Sequence, residues 1–135
     1  MDNKILIQNA LNARKQSYSP YSEFKVGAAL LTKTGKIYKG CNIENAAYTP
    51  TNCAERTAFF KAVSEGEREF EAIAIVGGSK ENPTEFVYPC GVCRQVMMEF
   101  CNPKEFKIIV AISEDNYVEK TLEELFPNGF GPESL

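Results

Sequence analysis

Two short stretches decide how this chain must fold: TNCAER at residues 51–56 and YPCGVC at residues 88–93. Between them they supply three thiols and one carboxylate, Cys53, Cys90, Cys93 and Glu55. These groups can act together only if the fold brings the two stretches into contact. Three protein ligands leave one tetrahedral position of a zinc ion open, which is typical of catalytic rather than structural zinc sites. The pattern therefore predicts a catalytic zinc site with a carboxylate that can move protons between water and a substrate.

Hydrophobic periodicity and capping signals predict helices that alternate with strands. The predicted helices cover residues from 2 or 3 to about 16, 53–64 and 90–101, and a capping box at Thr121 and Glu124 opens a short fourth helix. The predicted strands cover residues 24–32, 37–41, 70–76, 106–112 and 117–120, the last one antiparallel to its predecessor. This order predicts the α/β class, as a three-layer α/β/α sandwich with a mixed five-stranded sheet.

The second and third predicted helices each follow a strand, so both can begin at one edge of the sheet, where ligands of open α/β sheets collect. Cys53 lies in the first predicted turn of one helix, and Cys90 and Cys93 in the first predicted turn of the other. The partial positive charge of helix N-termini lowers thiol pKa and favours thiolate. Two alternatives are buried apolar thiols and a thioredoxin-like redox pair, but a redox pair leaves Cys53 and Glu55 unexplained.

The composition limits the class of protein. A chain of 135 residues predicts one domain over residues 1–135. The net charge is −3 with no basic run, which predicts no nucleic-acid partner, and no apolar stretch is long enough to predict a membrane partner. Five cysteines without an export signal predict a reducing, cytoplasmic location, with Cys41 and Cys101 as packing residues. Because histidine is absent, zinc would need cysteine or carboxylate ligands.

Further motifs accompany these two stretches: FKVGAAL at residues 24–30, GCNIENA at 40–46 and CGVCRQ at 90–95. Together the motifs resemble the short-chain, three-cysteine cytidine deaminases of the zinc-dependent cytidine/deoxycytidylate deaminase family, across residues 21–131. The resemblance implies one zinc ion per chain and a homotetramer. It also implies hydrolysis of cytidine and 2′-deoxycytidine to uridine and 2′-deoxyuridine, with release of ammonia, in pyrimidine salvage.

Glu55 and Arg56 are candidate functional neighbours of Cys53. The spacing of Asn52 and Glu55 also fits a capping box, so Glu55 could simply satisfy a helix terminus. The resemblance implies instead that Glu55 takes a proton from water, protonates the pyrimidine N3 and assists the departure of ammonia. Three thiolates give a zinc site net negative charge, which an adjacent arginine can reduce by donating hydrogen bonds to sulfur. The alternative for Arg56 is a surface arginine.

The substrate-binding candidates lie elsewhere in the chain. Asn42 and Glu44 are spaced by one residue on an extended segment, so their side chains should face one side, and an amide with a carboxylate suits ribose hydroxyls. The resemblance assigns these two residues to the sugar. The alternative for both is a solvated loop. The resemblance also implies that Phe24 and Phe130, whose alternative is ordinary core packing, are walls around the base, with Phe130 supplied by a neighbouring subunit, and that the backbone of Ala54 lies close to the base.

Several alternatives stay open. One is a related deaminase that acts on a modified cytosine nucleoside such as a blasticidin-type antibiotic. Another, from a different class, is a non-catalytic, zinc-stabilised interaction domain. The second predicted helix is apolar on several sides, which in a small domain indicates a subunit interface. Tyr88, Val92 and the polar loop at 77–85 depart from the family's commonest pattern, so details of the substrate entrance are not predicted.

Overall fold

The computed structural model describes residues 2–135 and, within them, shows four α-helices, five β-strands and a short 3-10 turn at Pro132–Ser134. The helices are α1 Asn3–Arg14, α2 Ala54–Ser64, α3 Gly91–Phe100 and α4 Leu122–Leu125. The strands are β1 Lys25–Thr32, β2 Ile37–Cys41, β3 Phe70–Gly78, β4 Lys107–Ser113 and β5 Asn116–Thr121. None of the described helices is long and apolar enough to cross a lipid bilayer.

The strands form one mixed sheet in the order β2-β1-β3-β4-β5. β1 pairs antiparallel with β2 and β3, β3 pairs parallel with β4, and β4 pairs antiparallel with β5. The parallel pair needs a long crossover, and α3 lies in that connection. The predicted α/β class with a mixed five-stranded sheet is confirmed, as is the antiparallel last strand.

Apolar side chains alternate between the two faces of the sheet, and helices cover both faces. In β1, Ala28 and Leu30 pack with α2 and α3, whereas Ala29 and Leu31 pack with α1. This alternation explains why β1 and β3 read as continuous apolar runs, since a strand covered on both faces exposes no side chain to water. The three layers of the fold are therefore α1, the sheet, and the layer of α2 and α3.

Glycine residues set how closely two helices approach the sheet. A Cβ atom on Gly27 would lie 2.2 Å from the carbonyl oxygen of Ala10 in α1. A Cβ atom on Gly40 would lie 2.4 Å from the carbonyl oxygen of Ala54, the first residue of α2. Both glycines are buried, so a larger side chain would displace helix backbone. Gly40 in β2 thereby fixes the position of the N-terminus of α2.

Several predicted boundaries were wrong by one or two residues. α1 ends at Arg14 rather than near residue 16, because the amide groups of residues 15–17 bond three residues back in a tighter turn. β3 continues through Gly77 to Gly78, because both glycines pair with the beginning of β1. The loop before α3 therefore begins at residue 79, later than the predicted 77.

Candidate metal centre

The three predicted zinc ligands lie at the N-termini of α2 and α3. Cys53 is the N-cap of α2, Cys90 is the N-cap of α3, and Cys93 is the third residue of α3. Cys53 and Cys90 thus stand one residue before the helical turns in which they were predicted. Both have extended backbone, with φ −74° and ψ 156° at Cys53 and φ −69° and ψ 168° at Cys90. The two helix starts bring all three thiols to one edge of the sheet.

The thiols are close enough to share one ion. Their Sγ atoms all lie within 4.8 Å of one another, and the Sγ atoms of Cys53 and Cys90 are 3.7 Å apart. Sulfur ligands at about 2.3 Å from a tetrahedral zinc ion stand about 3.8 Å apart. Within residues 2–135, no histidine, further cysteine or carboxylate joins this cluster as a fourth ligand. The donor set therefore fits zinc with one coordination position left for a non-protein ligand.

The charge state of the cluster favours metal binding. The Cys93 thiol donates a hydrogen bond to Cys53, and this bond, with further donation from Arg56, lowers the pKa of Cys53 to about 5. The same bond, together with burial, raises the pKa of Cys93. Cys93 therefore keeps its proton and Cys53 is the thiolate of the pair. A site that already holds one thiolate near neutral pH is prepared for a cation.

Arg56 lies against the cluster, as its position next to the ligands predicted. Its Nη2 donates to the Sγ of Cys53 over 3.3 Å. Burial lowers the pKa of Arg56, but hydrogen bonds to Cys53 and Cys93 outweigh it and raise the pKa above the ordinary value. The Nε atom is buried and has no hydrogen-bond partner in the part of the chain that the structure describes. Arg56 therefore supplies fixed positive charge beside three sulfur atoms.

Glu55 is buried at the beginning of α2, with 4% of its surface exposed. Burial raises the pKa of its carboxyl group to about 7. Because the N-cap of α2 is Cys53, Glu55 is the second helical residue, and the capping box considered for Asn52 and Glu55 is not present. Asn52 instead donates from Nδ2 to the Thr57 hydroxyl over 3.2 Å. A carboxyl group that titrates near neutral pH can both accept and donate a proton.

Asn42 is more strongly bonded to the protein than its predicted role requires. Its Oδ1 accepts from the Val26 amide over 2.9 Å and from the Ser17 hydroxyl, and its Nδ2 donates to the Phe24 carbonyl over 2.7 Å. These bonds join the beginning of β1 to the end of β2. A side-chain amide has two N–H donors, so one remains for a ligand.

Glu44 is held in place by the turn that precedes β1. Its Oε1 accepts from the amides of Tyr21 and Ser22 over 2.9 and 3.1 Å, and its Oε2 accepts from the Ser22 hydroxyl. The Ser22 hydroxyl, followed by these amides, lowers the pKa of Glu44 below its ordinary value. A surface cavity of about 400 Å³ opens beside the carboxylate, lined also by Asn45, Tyr48 and Thr51.

The remaining substrate candidates are spread over three parts of the fold. Phe24 is half-buried immediately before β1, and Ala54 is fully buried at the beginning of α2. Phe130 lies in the C-terminal segment with 57% of its surface exposed, and its carbonyl oxygen accepts from Gln95 Nε2 over 2.8 Å. The ring of Phe130 thus faces solvent within one chain.

The other two cysteines lie apart from the cluster. Cys41 ends β2, and Cys101 follows α3 and packs against the larger core cluster, as a packing residue should. Burial raises the pKa of both thiols, which is the opposite of the shift at Cys53. Neither thiol belongs to the group of sulfur atoms that lie close enough together to share one ion.

Sequence reasoning did not single out two side chains that fix this region, Ser22 and Arg14. Ser22 lies two residues after Pro20 in a polar turn, and that turn supplies the three donors that hold Glu44. Arg14 is buried, with 6% of its surface exposed. Its spacing from Ile7 and Ala10 places it on the apolar stripe of α1, which is the signal that could have identified it.

Comparison with known proteins agrees with this geometry. A sequence profile described as "Cytidine and deoxycytidylate deaminase zinc-binding region" matches residues 1–110. The chain is 52% identical over 135 residues to a cytidine deaminase of Sporosarcina psychrophila, covering 100% of this chain and 96% of that protein. It is 50% identical over 135 residues to a cytidine deaminase of Halalkalibacterium halodurans, covering 100% of this chain and 98% of that protein.

Solved structures of similar chains have the same fold. The crystal structure of a cytidine deaminase from Burkholderia pseudomallei superimposes with a TM-score of 0.87 at 44% identity, covering 96% of this chain and 100% of that one. That of a cytidine deaminase from Mycobacterium tuberculosis gives a TM-score of 0.82 at 36% identity, covering 97% of this chain and 98% of that one. In both cases the likeness extends over nearly the whole of this chain.

Proposed function

This chain belongs to the zinc-dependent cytidine and deoxycytidylate deaminase family, and from that premise we propose that it hydrolyses cytidine and 2′-deoxycytidine to uridine and 2′-deoxyuridine with release of ammonia. The observation that carries the proposal is the convergence of three thiols from two helix N-termini beside the buried carboxyl group of Glu55. We further propose a role in pyrimidine salvage, since the products are free nucleosides that can re-enter nucleotide synthesis.

One zinc ion per chain would be held by Cys53, Cys90 and Cys93. When bound, zinc supplies a Lewis acid that makes water acidic enough to act as a nucleophile near neutral pH. Three thiolates weaken that acidity because they give the site net negative charge. Arg56 opposes this effect, because its Nη2 donates to Cys53 and draws electron density from the sulfur.

Glu55 is the proton carrier in the proposed reaction. Its buried carboxyl group, with a pKa of about 7, accepts a proton from the attacking water and delivers it to N3 of the cytosine ring. Addition of the oxygen at C4 then gives a tetrahedral carbon that carries both oxygen and the amino group. Proton transfer from the oxygen to the amino group, through the same carboxyl group, allows ammonia to leave and restores the carbonyl.

Glu44 and Asn42 are the proposed contacts of the sugar. Glu44 is ionised, fixed by donors from Tyr21 and Ser22, and adjacent to a cavity of about 400 Å³. A fixed carboxylate that accepts from a sugar hydroxyl disfavours ligands without that hydroxyl, because the carboxylate would then be desolvated without a partner. The same negative charge disfavours a nearby 5′-phosphate. We therefore expect nucleosides to be used, and free cytosine and cytidine monophosphate to be poor substrates.

The base would lie between Phe24, the backbone of Ala54 and Phe130 of a neighbouring subunit. A homotetramer is proposed on this account, supported by exposed aromatic residues at Phe60, Tyr48 and Phe130. α2 itself gives less support than its sequence predicted, because Ala58, Phe59 and Ala62 are buried within the chain and only Phe60 is a largely exposed apolar residue of that helix.

A cytoplasmic location is also proposed. All five cysteines are unpaired thiols in the described chain, and such thiols persist best in a reducing compartment.

The test is to measure ammonia and the deaminated product with cytidine, 2′-deoxycytidine, cytosine, cytidine monophosphate and a blasticidin-type nucleoside, at equal concentration and one pH. The proposal expects the first two compounds to react well and the others at least tenfold more slowly. Preference for the antibiotic, or equal use of free cytosine, would instead assign the chain to deamination of another cytosine compound and remove the sugar role of Glu44.

A further inference from the structure

Arg14 is a buried cation that the proposed chemistry does not use. Only 6% of its surface is exposed, and burial lowers the pKa of its guanidinium group. No carboxylate in residues 2–135 forms a salt bridge with it. A buried charge without a counter-ion is costly unless hydrogen bonds satisfy it. The residue is therefore held for the contacts that its donors make.

All the acceptors are backbone carbonyl groups, and they belong to the ends of two neighbouring strands and to the loop that follows β3. Nε donates to Lys25, the first residue of β1, over 3.0 Å. Nη2 donates to Gly78, the last residue of β3, over 2.8 Å, and also to Lys80. Nη1 donates to Glu81 over 2.8 Å. One side chain thus fixes the end of β3 and the first turn of the loop that follows it.

That loop, residues 79–89, runs from β3 to the N-cap Cys90 and packs against the end of β3. Pro83 is buried, and its Cα would lie 3.7 Å from a Cβ atom on Gly78. The side chain of Val87 would lie 3.2 Å from a Cβ atom on Gly77. At the far end, Arg94 Nε donates to the Pro89 carbonyl over 2.7 Å, one residue before Cys90. The loop is held by an arginine at each end and by apolar contacts between them.

The backbone of Arg14 packs closely on β1, because a Cβ atom on Gly27 would lie 2.5 Å from its nitrogen. α1 therefore presents the guanidinium group from a closely packed position, on the opposite face of the sheet from α2 and α3. The hydrogen bonds from this guanidinium group fix the beginning of the loop, and this limits the positions that the end of the loop can take. The residue that follows this loop, Cys90, is a predicted metal ligand.

We propose that Arg14 is a positioning residue for the metal centre, which fixes the loop 79–89 from the α1 layer so that Cys90 meets Cys53 and Cys93. The expected changes in zinc transfer and in hydrogen exchange of the loop depend only on the thiol cluster. The expected change in turnover rests on the proposed function. No contact between Arg14 and substrate is involved.

Arg14→Lys is the informative variant, because it keeps the charge and most of the stem but replaces a planar fork by a single ammonium group. Arg68→Lys is the matched control. Arg68 also donates to backbone carbonyls, those of Val63 and Glu67, but it is exposed and lies after α2. Val87→Ala weakens the apolar contact of the same loop with β3 without altering a buried charge. It replaces Arg14→Lys as the test if that variant does not fold.

Three experiments are carried out on each zinc-loaded variant. These measure hydrogen exchange of the 79–90 peptide against peptides of β1 and β3, the rate of zinc transfer to a chromogenic chelator, and kcat and KM for cytidine. Arg14→Lys is expected to speed exchange in 79–90 and zinc transfer each by about tenfold, the lower end of effects at residues that support metal ligands. Sheet exchange should stay at the wild-type rate, and kcat should fall more than KM rises. Val87→Ala should change the same quantities by a smaller factor, and Arg68→Lys should change none.

The assignment is overturned if Arg14→Lys, or Val87→Ala where the first variant does not fold, exchanges and releases zinc like the wild type. It is equally overturned if sheet peptides exchange faster by the same factor as the loop, because Arg14 would then be a general stability residue. Failure of the wild type to deaminate cytidine would contradict the proposed function, while the exchange and zinc measurements would still decide the role of Arg14.

Discussion

The thiol cluster and the cavity beside Glu44 are built in opposite ways. The thiols of Cys53, Cys90 and Cys93 have mainly one another and Arg56 as polar partners, and as zinc ligands they would leave one tetrahedral position open. The carboxylate of Glu44 has three hydrogen bonds from Tyr21 and Ser22. The cluster is assembled from two separate helices, whereas the carboxylate is fixed by one local turn.

Under the proposed function, this difference separates reaction from recognition. Groups with unmet bonding capacity drive chemistry, because a metal ion and water can complete them. Groups whose geometry is already fixed by the protein select ligands, because they do not rearrange for a wrong one. Changes at the cluster should therefore remove zinc or turnover, and changes beside the cavity should mainly alter KM.

The largest effect is expected from Cys90→Ser. A neutral hydroxyl is a poor zinc ligand compared with thiolate, so the variant should lose most of its zinc and all measurable turnover. Zinc content by atomic absorption and deamination of cytidine are the measurements. Cys101→Ser is the control, because that thiol lies outside the cluster, and it should keep its zinc. Full zinc retention in Cys90→Ser would remove the cluster from the proposal.

Glu55→Gln should separate metal binding from proton transfer. The amide keeps the size of the buried side chain but cannot carry a proton between water, N3 and the leaving amino group. We expect kcat to fall by at least about 100-fold, which is the usual contribution of a general acid–base residue. Zinc content and the unfolding temperature should stay close to those of the wild type. Normal turnover in this variant would leave Glu55 with no part in catalysis.

The cluster was more predictable from sequence than the cavity for a physical reason. Metal ligation needs particular atoms, so Cys53, Cys90 and Cys93 stand out in a chain with no histidine. The strand-helix order then places both helix starts at one sheet edge. The sequence could not give the end of each element, since two further pairs in the β1–β3 ladder extend β3 to Gly78.

The partners of Asn42 and Glu44 were not predictable in the same way. Any loop can carry an amide or a carboxylate, and the residues that bond them, such as Ser17 and Ser22, have no distinctive spacing. Arg14 was missed because a single charged residue at the end of an amphipathic helix is usually solvated. Only the folded chain shows that four carbonyl groups surround it.

Glu44→Ala tests the recognition half of the comparison. Loss of a charged hydrogen-bond acceptor typically costs about 1.5–3 kcal/mol of binding, which corresponds to about 10- to 100-fold in KM for cytidine. Zinc content should not change, because the residue lies outside the thiol cluster. The ratio of kcat/KM for cytidine to kcat/KM for free cytosine should fall, since the variant no longer binds the sugar through this carboxylate. A fall in kcat with unchanged KM would place Glu44 in the reaction rather than in recognition.

The smallest effect is expected from Phe60→Lys. This variant tests whether a neighbouring subunit completes the proposed substrate site. Phe60 is 48% exposed on α2, and an exposed aromatic ring of this kind favours burial in an interface. A lysine there should weaken the proposed tetramer, so that light scattering at micromolar concentration gives a lower mass than for the wild type. Because Phe130 would come from a neighbouring subunit, activity per chain should fall severalfold on dilution and recover at high concentration, with zinc content unchanged.

Ile5→Lys is the matched control, since Ile5 is 46% exposed on α1 at the opposite layer of the fold. A wild-type protein that is monomeric and fully active at micromolar concentration would show that one chain completes both regions, and Phe130 would then need another role.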